Sequence, residues 1–310
     1  MSKIEKTETF HLDSRKVTIN FLEQTTYYIK DPQLFIDTIL NVCRKNKYAL
    51  VLPEVVFDIK FREPYQITAM GYVLPDLETP TVVLICANLI AHSGQRYSNI
   101  VLKYYLKRTV IHEITHLWHD YVYRSIRSSR EASIRLRIAF HKVYSSRYLH
   151  FDLKNVRGYF FDFFRSLQLE GIAVYSEYQM KAHLPFTLPK FVYLMIVAKA
   201  EIGKIQDELT RFKISLPENR KTDMSMRDVF PSSFESMYDI GVHMVYTIIY
   251  VQHYSLEKVA GMKPFEFIKE YESCMTKQKL RPLISATSGR GIFDYKRTLE
   301  ELRALWKNSS

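Results

Sequence analysis

His112 and His116 stand four residues apart in the pentapeptide HEITH, with Glu113 between them. On a helix, positions i and i+4 share one face, about one turn of 5.4 Å apart. Two imidazoles placed in this way suit joint coordination of one zinc ion. A carboxylate at Glu113 can accept a proton from a metal-activated water and later deliver it to a leaving amine. The spacing therefore points to metal-assisted hydrolysis of a peptide bond.

The surrounding stretch from Lys103 to Ser128 contains no Gly or Pro and reads as helix. Its apolar residues Val110, Ile114, Leu117, Trp118 and Tyr121 form one stripe, while His112, Glu113, His116 and Asp120 form another. Such a helix packs the first stripe into a core and lines a cleft with the second. A catalytic zinc ion takes three protein ligands and keeps its fourth position for water, so one more ligand must come from elsewhere. Val156 to Met180 reads as a second long helix, with Glu170 among Leu167, Leu169, Ile172, Ala173 and Val174. A carboxylate in that company is costly unless it is paired or bound to a metal. Gly171 and Ala173 are small, which would let this helix approach the motif helix closely.

HEITH followed by Glu170 in EGIA resembles the gluzincin group of zincin metallopeptidases. The resemblance covers His112 to about Met180, and in that group a glutamate on the helix after the motif helix completes the site. It implies His112, His116 and Glu170 as ligands of one zinc ion, and Glu113 as general base. Glu177, seven residues after Glu170 on the same stripe, is the reserve ligand. A metzincin would need Gly and His where His119 and Val122 stand. An aspzincin's short downstream Asp motif is absent as well. The chain departs from the best-known gluzincins at Val174, where an Asp often supports a ligand His, so that support must come from other groups. His119 and Asp120 read as supporting or cleft-edge residues, or equally as part of a solvated face. Gluzincin-like enzymes commonly draw an oxyanion donor from a helix beyond the glutamate. In SMYDIGVHMVYTIIY, residues 236 to 250, the candidates are Tyr238 and His243, with Tyr246 nearby.

The elements that must position these groups follow. VVFDIKF, QITAMGYVL and TVVLICAN between Val55 and Asn88 read as strands of a small mixed sheet. If the edge of TVVLICAN is free, an extended peptide could add to it as a further strand. Residues 31–48 read as a helix started by Asp31 and Pro32, 211–233 as a loop, and 234–255, 264–276 and 294–307 as helices. FVYLMIVA at 191–198 and GVHMVYTIIYV at 241–251 read as buried helices too short to span a bilayer. The expected class is α+β and zincin-like. An N-terminal α/β part over 1–100 carries the mixed sheet, a zinc-binding helical core spans 101–210, and a helical part over 211–310 braces the cleft as one compact unit with the rest.

The chain has 310 residues, 47% of them hydrophobic, enough for a sizeable core. Its first thirty residues carry charges throughout and lack the apolar core of a signal peptide. Cys43, Cys86 and Cys274 are scattered and lack metal spacing, which fits a reducing cytoplasm. The formal charge of +11 concentrates at 124–147, where Arg124, Arg127, Arg130, Arg135, Arg137, Lys142 and Arg147 face Glu131 alone. That stretch suits an acidic partner, and the absence of a recognition motif disfavours specific nucleic-acid binding. The expected function is a cytoplasmic zinc peptidase acting on a peptide or protein substrate, without a membrane span. The alternative is a regulatory protein that keeps a zinc site without catalysis, or a basic helical protein that binds nucleic acid.

Overall fold

The computed structural model describes residues 3–23, 25–29, 31–62, 69–74, 79–92, 99–126, 156–180, 190–215, 233–287 and 289–307. The chain is mixed α+β and forms two compact units, Met1–Ser125 with Ser176–Leu184 and Ile126–Tyr175 with Pro185–Ser310.

In the first unit, β1 (Ile4–Leu12) and β2 (Arg15–Leu22) form an antiparallel hairpin whose tight turn holds Asp13 at φ 59°. Asp tolerates this left-handed conformation because its short polar side chain can bond locally. The hairpin is an addition to the strands expected over 55–88. Its signal is the alternation in RKVTINFL, where Val17, Ile19 and Phe21 are buried and Lys16, Thr18 and Asn20 are not. After the short helix α1 (Thr25–Tyr28), helix α2 (Pro32–Lys45) starts as expected. The Asp31 side chain accepts a hydrogen bond from the Leu34 N–H at 3.1 Å, and Pro32 needs no donor in the first turn. This helix makes the crossover to β3 (Glu54–Lys60), which pairs parallel to β2.

The sheet is completed by β4 (Gly71–Leu74) and β5 (Thr81–Ile85), in the order β1-β2-β3-β5-β4. β5 is parallel to β3 and antiparallel to β4, and all five of its residues are buried. Two expectations change here. TVVLICAN is a strand only to Ile85, and Cys86 begins helix α3 (Cys86–His92). Its edges are both occupied, so the edge strands of the described sheet are β1 and β4. Residues 66–68 of QITAMGYVL lie outside the described residues.

Helix α4 (Asn99–Ile126) carries HEITH. Its middle is buried all round rather than split into a core stripe and a cleft stripe. Val110, Ile114, Leu117 and Trp118 are buried, and so are Glu113, His116, His119 and Asp120, while Tyr121 is exposed. Polar groups removed from water in this way need partners inside the fold.

Helix α5 (Val156–Gln179) enters both units, with Ser176 to Gln179 in the first. The second unit adds α6 (Lys190–Ser215), α7 (Ser233–Gln252), α8 (Leu256–Ala260), α9 (Pro264–Lys277), the two-residue parallel strands β6 (Ile284–Ser285) and β7 (Phe293–Asp294), and α10 (Tyr295–Lys307). Helix α6 runs on through Ser215 and α7 starts at Ser233, so 211–215 and 233 of the expected loop are helical, and 216–232 lie outside the described residues. Nor is FVYLMIVA wholly buried, since Val192 and Ile196 are exposed.

Gly171 and Gly241 set the crossing of α5 and α7. A Cβ on Gly171 would lie 2.3 Å from the Gly241 carbonyl group, and one on Gly241 would lie 2.2 Å from the Leu167 oxygen. Gly171 therefore admits α7, which corrects the expectation that its small size serves approach to the motif helix. Around the crossing, the Gln168 amide donates to the Val259 and Met262 carbonyls at 2.7 and 3.1 Å. Phe164 packs edge-on against Phe265 and Tyr295. Among the described residues no helix is long and apolar enough to cross a membrane. The described side chains do not include those of the basic stretch 124–147.

Candidate metal centre on the HEITH helix

The His112 and His116 rings project one turn apart from α4, with centroids 4.6 Å apart and planes at 85°. One ligand atom from each of His112, His116 and Glu170 lies within 4.8 Å of the others. A tetrahedral ion with bonds of about 2.1 Å sets its ligands roughly 3.4 Å apart, so adjustments of about an ångström close the set. Two imidazoles and a carboxylate suit zinc and several other first-row divalent ions. The group can therefore hold a metal ion, and its donors are those expected from HEITH and EGIA.

Glu113, next to His112 on the helix, is buried at 5% exposure. The edge strand β4 begins beside it. A Cβ on Gly71 would lie 3.2 Å from Glu113 Cγ and 3.0 Å from both Thr109 Cγ2 and the Val83 oxygen. A side chain at this position would be tight, so that Thr109 or Glu113 would have to give by a few tenths of an ångström.

Glu177, the reserve ligand, has another occupation. Its Oε1 lies 2.7 Å from His112 Nδ1, and its Oε2 lies 2.5 Å from Arg108 Nε. Burial alone would pull the Arg108 guanidinium down, but the Glu177 carboxylate outweighs that and holds it above its ordinary value. Two further bonds pin the same end of α5. Lys107 Nζ donates to the Met180 carbonyl at 3.3 Å, and the Tyr48 hydroxyl donates to Gln179 Oε1 at 2.8 Å. Arg108 and Tyr48 were not legible as site residues. For Arg108 a signal existed, since Arg108, His112 and His116 recur every four residues on α4.

No protein-family model, curated protein or solved structure matches this chain. Its functional reading therefore rests on its own residues.

His119 and Asp120 are buried, at 4% and 6% exposure, which excludes a solvated face for both. Tyr238 lies on α7 with an exposed ring. His243, on the same helix, is fully buried, with Nε2 3.3 Å from the Tyr271 hydroxyl. That hydroxyl accepts the Leu283 N–H at 3.2 Å, which leaves its proton for the imidazole. Burial pushes the His243 pKa down to about 4, so the ring is neutral at ordinary pH. His243 is not a member of the His112, His116 and Glu170 group. The three cysteines are buried and free. Burial raises Cys43 to about 12 and Cys274 to about 11, and lifts Cys86 further, so each thiol stays protonated and unreactive.

Proposed function

We propose that this chain is a zinc-dependent peptidase of the gluzincin type with a zincin-like fold, in which His112, His116 and Glu170 hold the ion. The observation that carries the reading is the third donor. Glu170, 54 residues beyond His116 in the chain, comes within ligand distance of both imidazoles. When bound, zinc would supply Lewis acidity toward the scissile carbonyl and toward water.

The chain's own groups do the rest. Glu113 accepts a proton from the attacking water as the new carbon–oxygen bond forms, and delivers it to the amine nitrogen as the carbon–nitrogen bond breaks. An extended peptide that adds to the outer edge of β4 would run past Glu113, because Gly71 brings that strand against the motif helix. Of the two oxyanion candidates, Tyr238 has the exposed ring, whereas His243 Nε2 is directed at Tyr271.

The test combines metal analysis of the purified protein with turnover of an unfolded protein substrate by wild type and by Glu113→Gln. We expect about one zinc ion per chain in both proteins, and turnover lower by roughly 10²–10⁴-fold in the variant. Metal-free wild type, or a variant as active as wild type, would refute the reading.

A further inference from the structure

We propose that Glu177 is a positioning residue. Held at one oxygen by Arg108, it fixes His112 with Nδ1–H toward its other oxygen and Nε2 turned to the metal. The inference rests on the metal reading above and adds to it a part that the EGIA resemblance does not supply, because Val174 stands where a supporting acid would be expected.

Three observations support it. The Glu177 side chain is 2% exposed, and a carboxylate so buried needs a charged partner, which Arg108 provides. A carboxylate accepts hydrogen bonds, so the 2.7 Å contact suits donation from His112 Nδ1, and on a neutral ring that places the lone pair at Nε2. Finally, both Glu177 oxygens are engaged, one by His112 and one by Arg108, which separates this residue from Glu170 in the metal group.

The geometry divides two acids of one helix between two tasks. Seven residues of α5 span roughly 10.5 Å, and eight residues of α4, from Arg108 to His116, span roughly 12 Å. With Glu177 opposite Arg108 and His112, and Glu170 grouped with His112 and His116, the two helices are matched along that length. A carboxylate behind a ligand imidazole sets its tautomer, orients the ring and raises its basicity.

The experiment titrates the full chain with Zn²⁺ alone against a chelating dye, for wild type and for Glu177→Gln, Arg108→Gln and Glu170→Gln. A glutamine at 177 cannot accept from both His112 and Arg108, because one of its two atoms is now a donor. We expect about 10–100-fold weaker zinc binding in Glu177→Gln and a smaller loss, about 3–10-fold, in Arg108→Gln. X-ray absorption should show an unchanged number of protein ligands in both, and one fewer in Glu170→Gln. The nitrogen shifts of His112 in the zinc-loaded protein should report Nδ1–H. Zinc affinity within twofold of wild type in Glu177→Gln, a ligand lost from that variant, or an Nε2–H tautomer would overturn the inference while leaving the metal reading intact. Should Glu177→Gln not fold, Arg108→Gln decides by the same affinity measure, and wild-type affinity there would overturn the inference. Wild type that binds no zinc would overturn the metal reading and this inference with it.

Discussion

Helices α5 and α6 are of similar length and both carry a glycine in mid-course, yet they are held in opposite ways. From Phe163 to Glu177, every residue of α5 is buried except the half-buried Glu170. Its Gly171 meets the backbone of α7 so closely that a Cβ would overlap Gly241. Along α6, Val192, Ile196, Lys199 and Ala200 are exposed, and a Cβ on Gly203 would meet nothing within 4 Å. One glycine is a steric requirement and the other is a weak point in a helix. The difference shows where rotation and register are specified: on the helix that carries Glu170 and Glu177, contacts at Phe164, Gln168, Gly171 and Glu177 leave little freedom, whereas α6 offers a partly open face.

Replacement of the two glycines breaks or sharpens that contrast. Gly171→Ala should lower unfolding stability by about 3 kcal/mol or more, since the helices must separate to admit a methyl group. Chemical denaturation reads this directly, and a midpoint equal to wild type would mean that the crossing can relax.

Acid should produce the next largest effect, through the α7 core that abuts α5 at this crossing. His243 has a folded-state pKa of about 4, below the unfolded value of 6.5. As pH falls the unfolded chain binds the proton first, so the stability due to neutral His243 is complete above about pH 6.5 and is lost between there and pH 4. The total is on the order of 3 kcal/mol, at about 1.4 kcal/mol for each pH unit. Denaturation midpoints from pH 7 to 4 should show this slope in wild type and a shallower one in His243→Gln; equal slopes would count against a buried neutral imidazole.

The smallest change has the opposite sign. Gly203→Ala should stabilise the protein by about 0.5–1 kcal/mol, because alanine loses less backbone entropy in a helix and finds open space here. A melting temperature below that of wild type would show that α6 is more constrained than its surroundings indicate.

Much of the architecture was legible wherever the determinants are local. Asp31 and Pro32 announce α2, and the Gly- and Pro-free run around HEITH announces α4. The expected helices at 264–276 and 294–307 match α9 and α10. The β1–β2 hairpin escaped because charged residues mask its alternation, although Val17, Ile19 and Phe21 carry a clear period of two. TVVLICAN reads as a longer strand than it forms because an apolar run does not say where a strand gives way to a helix, and α3 begins inside it.

By itself, the sequence determined the donor types and their local geometry: two imidazoles one helical turn apart, an acid beside them, and two more acids seven residues apart on a later helix. Only the tertiary structure decided that Glu170 joins the imidazoles, that Glu177 meets Arg108 and His112, and that His243 turns to Tyr271. The reason is range. A helical period relates residues a few positions apart, whereas the meeting of side chains more than fifty positions apart depends on how one helix is rotated and shifted against another, as the close contact of Gly171 with Gly241 illustrates for α5 and α7.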